Sequence, residues 1–363
     1  MQGCQLDMFE CEASARTRWT FVRLEAADGV VGFGECSDAG RPDQARAAFE
    51  ALAGGFTDRA GTADALARIA DAAAQDHDLV RRTVSGGIEQ AFCDVAARRA
   101  GEPLWRWLGG TAGGPVPLYA NVNRVVGARR PEDVAAAGAR AVAAGFIVVK
   151  CAPFDVPLAG SSLADAGLAR LRALRAAVGA EVRLLVDCHE RLELRDVLRI
   201  VPDLEDLGIA WLEDAIACAD RAGLRALRNA TAIPLAGGEL AGAPEEVVPA
   251  VEERLLDIVM PDVKHAGGLL RALRIGRAVP SAQVSPHNPS GPIGTAMSAH
   301  LSNSLPNFTI LEYAHGEAPW RAELVDGAEV VANGQLRLPD GPGLGIDLVT
   351  NHPALLHASS LTI

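Results

Sequence analysis

Short apolar runs alternate with amphipathic helical segments along most of the chain after residue 115. The segment 164–178 is typical of the helices, because Leu168, Leu171 and Leu174 fall on one face before Gly179. Regular alternation of strand and helix predicts a parallel sheet, and eight strands favour a closed barrel over an open sheet. The predicted strands cover residues 116–120, 146–150, 182–187, 209–213, 233–239, 257–262, 283–287 and 308–312.

The residues before this repeat have a different pattern. Alternating apolar positions on either side of Asp28-Gly29 predict a β-hairpin or meander, because Asp-Gly favours a tight turn. Residues 42–108 are rich in Ala, Leu and Arg and predict helices, one of which opens at Ser85-Gly86-Gly87 and runs through Ala97. We expect a small α+β domain of roughly a hundred residues ahead of the barrel.

Composition and charge narrow the classes of partner and compartment. With 363 residues, 49% of them hydrophobic, the chain can bury a large core. Its formal net charge of −12 argues against nucleic acid and anionic lipid as partners. No apolar stretch is long enough to predict a membrane span, and the N-terminal residues do not resemble a signal peptide. Seven cysteines without CxxC spacing fit a reducing cytoplasm.

A charged or polar side chain closes each later strand of the predicted barrel. The carboxyl ends of barrel strands share one face, so these distant residues are expected to converge on one pocket. A buried strand that ends in an acid is costly unless that acid is paired or binds a metal. The residues are Lys150, Asp187, Glu213, Glu239, Asp262, His287 and Glu312.

Three of these acids, Asp187, Glu213 and Glu239, follow one another on consecutive strand ends. Three like charges in one pocket repel each other, whereas a hard divalent cation with oxygen ligands would bind all three. We therefore predict a Mg²⁺ site. The simpler alternative is that each acid only caps the helix that follows it.

Asp262 and His287 follow on the next two strands. A carboxylate that accepts a hydrogen bond from one imidazole nitrogen makes the other nitrogen a competent general base. The alternative is a structural histidine. Lys150 is expected to act as base, acid or carboxylate anchor, or else to form only a salt bridge with the acids. His189, two residues after Asp187, is a candidate acid, substrate contact or supporting group.

These groups together suit one reaction class, the removal of a proton from the carbon next to a carboxylate. That proton is too weakly acidic for an imidazole unless a cation and hydrogen-bond donors stabilise the enolate. Glu312 is expected to donate such a hydrogen bond if burial and neighbouring acids keep it protonated.

The motifs resemble the mandelate racemase subgroup of the enolase superfamily over nearly the whole chain. The matching segments are GFGECSD, LLVDCHE, WLEDA, GGE, DIVMPDVKHAGG, SPHNPSGPIGTA, ILEY and GPGLGIDL. The resemblance implies a modified (β/α) TIM barrel at residues 113–318, an N-terminal capping domain at 1–112 and a C-terminal segment, 319–363, that completes the cap. It also implies Mg²⁺ held by Asp187, Glu213 and Glu239, an Asp262–His287 dyad, and a homo-oligomer of two to eight copies.

The chain departs from that family at the second barrel strand. Racemases of the family usually carry a Lys-x-Lys pair there, whereas this chain has Val148, Lys150 and Ala152. A racemase needs a base on each face of the substrate carbon. Dehydration needs one base and an acid for the departing hydroxyl, and His287 can serve as both. We therefore favour dehydration of an acid sugar or related hydroxy acid to a 2-keto acid.

Several alternatives remain open on the sequence alone. A racemase or epimerase would use the same fold, and a barrel protein without catalysis would retain it. A metal-dependent hydrolase is disfavoured because residues 119–123 contain no His-x-His. Substrate contacts are expected from loops 14–19 and 54–59, and from Trp19, Asn121, Asn123 and Arg124, although these side chains would equally suit helix caps or surface pairs. The helix starts at HAGG and SGPIG suit anions or tight turns.

Overall fold

The protein is described here from a computed structural model, which covers residues 4–53, 62–111, 113–327 and 329–363. The predicted substrate loop at 54–59 lies outside the described residues. The β-strands in chain order are β1 (Gln5–Ser14), β2 (Thr17–Glu25), β3 (Val31–Glu35), β4 (Val116–Asn121), β5 (Val148–Cys151), β6 (Arg183–Asp187), β7 (Ile209–Glu213), β8 (Leu235–Gly237), β9 (Ile258–Val259), β10 (Gln283–Val284), β11 (Leu311–Ala314), β12 (Val325–Asp326), β13 (Val330–Ala332), β14 (Gln335–Arg337), β15 (Asp347–Leu348) and β16 (Leu356–Thr362).

Helices alternate with these strands over the middle of the chain. They are α1 (Pro42–Ala53), α2 (Thr62–Gln75), α3 (Leu79–Ala100), α4 (Leu104–Trp107), α5 (Pro131–Ala143), α6 (Leu163–Val178), α7 (Leu194–Asp206), α8 (Arg221–Ala230), α9 (Val248–Glu252), α10 (Leu269–Arg277) and α11 (Pro292–Ser302).

The N-terminal strands form an antiparallel sheet of order β16-β1-β2-β3. The predicted turn at Asp28-Gly29 joins β2 to β3, and Gly29 has a φ of +83°, a conformation that glycine adopts without steric cost. β16 pairs with β1 along most of its length, so the C-terminal segment completes this sheet. Helix α3 packs across it, mainly against β3.

The predicted start of the long N-terminal helix is wrong. Helix α3 begins at Leu79, where the Asp78 side chain accepts a hydrogen bond from the Arg81 N–H. Ser85-Gly86-Gly87 therefore lies inside the helix, and its glycines serve close packing. A Cβ added at Gly87 would lie 2.8 Å from the Cβ of Cys36, so the missing side chain lets α3 approach the end of β3.

The later strands form the predicted parallel barrel. Strands β4 to β10 are hydrogen-bonded in sequence order, and β11 pairs with β4 in parallel, with Leu311 opposite Leu118. A bridge between Val284 and Phe308 connects β10 to the segment leading into β11, which closes the ring. Strands β8, β9 and β10 are shorter than predicted. At β8 the strand ends because Gly238 turns to a φ of +98°.

The barrel interior is filled by side chains, as expected for eight strands. Its core is a separate apolar cluster in which Tyr119 and Trp211 pack edge to face, with ring centroids 5.5 Å apart. The other members of the cluster are Val148, Leu185, Ala236, Ile258 and Met260. This packed layer forms the floor beneath the polar residues at the strand ends.

Two buried acids from the N-terminal elements cap helices of the barrel. Glu35, at the end of β3, accepts hydrogen bonds from the N–H groups of Gly291 and Gly294 at 2.6 and 2.7 Å, at the start of α11. Glu89, on α3, accepts from Leu269 and Leu270 at the start of α10. The helix starts at HAGG and SGPIG therefore bind carboxylates of the protein itself.

Two further observations concern the chain as a whole. Among the described residues, no helix is both long enough and apolar enough to cross a membrane. All seven cysteines are described, and each is a free thiol.

Candidate active site

The polar residues predicted at the strand ends lie at one mouth of the barrel. Asp187 and Glu213 close β6 and β7 and are direct partners in the parallel register. Glu239 follows β8 by two residues, Asp262 and His287 each follow their short strands by three, and Glu312 lies in β11. Neighbouring strands are spaced about 4.8 Å apart, so these side chains share one small volume.

His287 and Asp262 are in direct contact. His287 Nδ1 lies 2.8 Å from Asp262 Oδ2, and the opposite ring nitrogen, Nε2, lies 3.2 Å from Glu239 Oε2. Burial opposes protonation of His287, but Glu239 and the hydrogen bond to Asp262 raise its pKa to about 9. The ring is thus fixed by Asp262 on one side and faces the cluster of acids on the other.

Asp262 is itself held by neighbours that the sequence reasoning missed. Its Oδ2 accepts a hydrogen bond from Lys264 Nζ at 2.7 Å, and Lys264 also donates to Ser290 Oγ at 2.6 Å. Although burial raises the pKa of Asp262, the Lys264 ammonium and the nearby imidazoles lower it well below its usual value. Asp262 therefore remains a carboxylate that can orient His287.

Lys150 lies among three buried acids. Its Nζ is 2.5 Å from Glu213 Oε1, 3.0 Å from Glu312 Oε1 and 3.6 Å from Asp187 Oδ2. Burial disfavours the ammonium, but the surrounding carboxylates raise the pKa of Lys150 well above its ordinary value. Lys150 therefore forms the salt bridges that the sequence analysis gave as its simpler role. Its position among the strand-end acids is equally compatible with a role as base, acid or carboxylate anchor.

The surroundings of Glu312 oppose the protonation that a hydrogen-bond donor role would need. Glu312 Oε1 accepts hydrogen bonds from Asn121 Nδ2 and Lys150 Nζ, and Oε2 accepts from the Asn288 N–H at 2.8 Å. Burial alone would raise the pKa of Glu312, but the charges of Lys150 and His287 outweigh it and lower the pKa to about 2. Glu312 is thus a carboxylate that accepts hydrogen bonds, because cationic neighbours outweigh the acidic ones considered in the sequence analysis.

Glu213, Asp214 and Glu239, the acids at the ends of β7 and β8, lie close enough to other acids to disfavour their own ionisation. Burial and mutual repulsion raise the pKa of Glu213 and of Asp214 well above their ordinary values, and burial raises that of Glu239. Glu239 Oε2 is buried and has no hydrogen-bond partner within the described part of the chain, although His287 Nε2 lies 3.2 Å away. Buried acids of this kind fit a site for a divalent cation, which would remove the repulsion.

The three predicted Mg²⁺ ligands are not arranged around a common point. Within the described residues, the carboxylate oxygens of Asp187, Glu213 and Glu239 do not all lie within 4.8 Å of one another. A second group, Asp262, His265 and His287, does have ligand atoms that close together. That second group is a poor cation site because the Lys264 ammonium already contacts Asp262. Asp187, Glu213 and Glu239 instead face His189, Lys150 and His287, and rotation of flexible side chains on adjacent strands is needed to bring their oxygens together.

His189 lies at the edge of the mouth in a strained backbone conformation, with a φ of +48°. Its Nε2 is 2.9 Å from Asp187 Oδ2 and its Nδ1 is 3.1 Å from Asp155 Oδ1. Burial opposes protonation, but these two acids raise the pKa of His189 to about 11. Asp155 is in turn paired with Arg129.

The predicted substrate contacts lie around the same mouth but are largely engaged within the protein. Asn121 binds Glu312, and Asn123 Oδ1 accepts a hydrogen bond from the Ala152 N–H at 2.5 Å. Arg124 donates to Thr17 Oγ1 and Asp38 Oδ2, both at 2.9 Å. Trp19 is fully buried, yet its indole N–H has no hydrogen-bond partner among the described residues. A role in substrate binding stays a prediction for all four.

Other polar residues of the site were missed in the sequence analysis. Asp214 directly follows Glu213 in the WLEDA motif, and Lys264 lies two residues after Asp262 in MPDVKH. Their closeness to predicted site acids was therefore a signal that could have identified them. Asp155 and Asn288 lie in loops after strands, where no periodicity marks them. Only the folded chain shows that they contact His189 and Glu312.

Comparison with known proteins agrees with this geometry. Residues 9–109 match the N-terminal domain of the mandelate racemase and muconate lactonizing enzyme family, and residues 133–351 match the family described as Enolase C-terminal domain-like. A solved mandelate racemase/muconate lactonizing enzyme from a Jannaschia species superimposes with a TM-score of 0.83 at 26% identity, over 96% of each chain. An enolase superfamily member from Salmonella Typhimurium gives a TM-score of 0.86 at 21% identity, over 100% of this chain and 99% of that one.

Curated relatives are similar along most of their length. A D-galactonate dehydratase family member of Streptomyces bingchenggensis is 31% identical over 74% of this chain and 72% of its own. The D-galactonate dehydratase of Ralstonia nicotianae is 29% identical over 91% and 89%, and the D-gluconate dehydratase of Thermoproteus tenax is 28% identical over 93% and 70%. Together with the barrel and its cap, these matches show that the chain is an enzyme of the enolase superfamily and belongs to its mandelate racemase subgroup.

Proposed function

We propose that the protein is a lyase that removes water from an acid sugar, or a related hydroxy acid, to give a 2-keto acid, with Mg²⁺ as its cofactor. The observation that carries the proposal is the position of His287. Its Nδ1 is held by Asp262, while its Nε2 faces the acids at the barrel mouth. The names of the relatives, which include D-galactonate, D-gluconate and D-xylonate dehydratases, support the same reaction class.

One imidazole is sufficient for both proton transfers of a syn elimination. His287 Nε2 takes the proton from the carbon next to the substrate carboxylate, and Asp262 stabilises the imidazolium that results. The bond between the neighbouring carbon and its hydroxyl oxygen then breaks, and the same nitrogen returns the proton to that oxygen, which leaves as water. The enol that remains rearranges to the 2-keto acid.

The negative charge that develops on the substrate needs cations. Lys150 supplies one, since its ammonium lies among the strand-end acids. Asp187, Glu213 and Glu239 would hold Mg²⁺, because a hard divalent cation would offset the burial and mutual repulsion that raise the pKa of Glu213 and of Glu239. When bound, Mg²⁺ neutralises the substrate carboxylate and stabilises charge on its oxygens.

The proposal is tested by incubating the purified protein and MgCl₂ with a panel of acid sugars and measuring 2-keto acid release. We expect at least one substrate to be dehydrated, activity to disappear with a chelator, and Mg²⁺ to restore it. His287→Asn should lower kcat by at least about 10²-fold, because it removes the base, while calorimetry still detects Mg²⁺ binding. His357→Asn, a half-exposed histidine on β16, is the matched control. Undiminished turnover in His287→Asn would exclude the dyad from the mechanism.

Racemisation or epimerisation is the second candidate from the same fold. Lys150 is the lysine available on β5, since the position two residues earlier is Val148, whose side chain packs in the barrel core. A second base on the opposite face is therefore missing from that strand. Reaction in D₂O separates the two outcomes, because epimerisation retains the hydroxyl group and exchanges the α-hydrogen, whereas dehydration gives a 2-keto acid.

We also propose a cytoplasmic location and a homo-oligomeric state of two to eight copies, with a small-molecule carboxylate as the partner rather than nucleic acid or membrane. The seven free thiols support a reducing compartment. Family resemblance supports the assembly. Light scattering on the purified protein measures the number of copies, and a monomer at micromolar concentration would contradict it.

A further inference from the structure

A cationic cleft opens beside the reaction centre, at the rim of the barrel mouth. It has a volume of about 550 Å³, and its charged lining consists of Arg16, Arg129, Arg191, His189 and Asp155. His189 connects the cleft to the site, because its Nε2 lies 2.9 Å from Asp187. The cleft therefore borders the same mouth of the barrel as Asp187, one of the predicted Mg²⁺ ligands.

The positive charge of the cleft is only partly neutralised by the protein. Asp155 is the acid in its lining, and it already contacts Arg129 and His189. Arg16 donates to the backbone carbonyls of Val126 and Gly127, which leaves further N–H donors and the charge of the guanidinium for a ligand. Within the described residues, neither Arg16 nor Arg191 forms an ion pair with an acid.

Arg16 reaches the cleft from the N-terminal sheet. It lies in the tight turn between β1 and β2, where Ser14 pairs with Thr17, and its two hydrogen bonds cross to the loop after β4. The cap and the barrel thus each contribute guanidinium groups to one cleft. In a chain with a net charge of −12, such a grouping requires a local reason.

From this cleft we infer that the substrate carries a second anionic group at the end remote from its reacting carbon, as a sugar diacid does. This inference rests on the proposed function and names the substrate class within it. The forked N–H donors of guanidinium bind carboxylate and phosphate oxygens in pairs, whereas the terminal hydroxyl of a mono-acid sugar offers no charge to them. The shared chemistry is an anion, supplied by a carboxylate or a phosphate.

The test compares substrates that differ only at the far end. D-gluconate is measured against D-glucarate and 6-phospho-D-gluconate, and D-galactonate against galactarate, each with Mg²⁺ present. We expect kcat/KM for a substrate with the second anion to exceed that of its matched mono-acid by about tenfold to a hundredfold. A preference for the diacid over the phosphorylated acid, or the reverse, identifies which anion the cleft binds.

Two variants link that preference to the cleft. Arg191→Gln removes an exposed charge, and Arg16→Gln removes the charge at the β1–β2 turn. Each is expected to reduce the kcat/KM ratio of dianionic to mono-acid substrate at least tenfold. Arg195→Gln is the matched control, since Arg195 is 77% exposed on α7 and lies outside the cleft lining. It should leave the ratio unchanged.

The failure of this inference differs from the failure of the proposed function. One contrary result is that mono-acid sugars are dehydrated with the same kcat/KM as their dianionic counterparts, and another is that both cleft variants keep the wild-type ratio. Either result would refute the second anionic group and leave the proposed lyase activity intact. If neither group of acids is dehydrated, the proposed function itself is wrong. If Arg195→Gln also removes the preference for dianionic substrates, that preference results from the overall charge of the protein, and the inference about the cleft is refuted.

Discussion

Lys150 shows how much one side chain determines at the residue scale. Its ammonium lies within 3.6 Å of carboxylate oxygens from Glu213, Glu312 and Asp187, and both it and these acids are buried. A buried cation can be tolerated there because each neighbour offsets part of its desolvation cost. Without that cation, the acids would repel one another in a medium that screens charge poorly.

Lys150→Met should therefore destabilise the protein, by about 3–5 kcal/mol, because it leaves buried acids without their partner. The free energy of unfolding is measured by urea denaturation in the absence of divalent cations. Arg172→Met, which removes a half-exposed ion pair with Asp203, is the control and should cost less than about 1 kcal/mol. A loss no larger than that of the control would mean that the acids are neutralised in another way.

Sequence reasoning at this scale identified residue types better than ionisation states. Asp262 and His287 were identified from their positions after buried strands, and the structure brings them to 2.8 Å. A donor role for Glu312 was conditional on its protonation, and the charges nearest to it lower its pKa and oppose that condition. The Lys150 contact at 3.0 Å and the Asn288 N–H decide it, and neither distance can be read from a linear pattern.

At the scale of elements, the packing of α3 on β3 depends on paired glycines. Gly34 in β3 faces Gly87 in α3, and a Cβ at Gly34 would lie 2.0 Å from the Gly87 carbonyl oxygen. That separation is far below van der Waals contact, and the Gly87 oxygen belongs to the backbone, which cannot rotate away as a side chain can. The helix and the strand would have to separate to accept a side chain.

Gly34→Ala should therefore lower the free energy of unfolding by about 1–3 kcal/mol or more, through overpacking. Gly114→Ala is the matched control, because a Cβ there meets no atom within 4 Å and its φ is not left-handed. Thermal and urea unfolding of both variants provide the comparison. Equal stability of the two would show that the sheet and helix adjust without cost.

The elements themselves were predictable to the extent that their pattern is local. β7 matches its predicted range of 209–213, and α6 begins one residue before the predicted helix at 164–178. The start of α3 was missed because Ser85-Gly86-Gly87 has the composition of a helix boundary. Its actual role, close approach to Cys36 and Lys264, is a tertiary contact that no local rule reports.

At the scale of the whole molecule, His300 joins three distant parts of the chain. It lies on α11, its Nδ1 accepts a hydrogen bond from the Trp105 N–H at 3.1 Å, and its Nε2–H donates to the Leu344 carbonyl at 3.2 Å. Both nitrogens are thus used in the neutral ring. Burial disfavours the imidazolium and lowers the pKa of His300 to about 4.

This residue should make stability depend on pH. The unfolded histidine has a pKa near 6.5, so the unfolded chain binds the proton first as the pH falls. The contribution of His300 is present above about pH 6.5 and is lost between 6.5 and 4, by up to about 1.4 kcal/mol per pH unit. Urea unfolding of wild type and His300→Gln from pH 7.5 to 5 isolates it. A difference that stays constant with pH would refute the assignment.

The barrel and its cap were predictable because eight strand-helix units and the family motifs extend along the chain. The ring closure between β11 and β4 confirms that expectation. The division of the chain at residues 112/113 and 318/319 stays a prediction. The return of the C-terminal segment to β1 was implied only by resemblance, because pairing across some 350 residues leaves no periodic trace at either end.

The placement of Glu35 also limits which molecules can approach. In barrels of this kind, the start of the helix after the seventh strand is a common binding site for a phosphate group. Here that strand is β10, and the backbone donors that follow it, at Gly291 and Gly294, are already occupied by the Glu35 carboxylate. A phosphorylated metabolite therefore finds these donors already engaged by Glu35. The cationic rim near Arg16 and Arg191 is where its phosphate would bind instead.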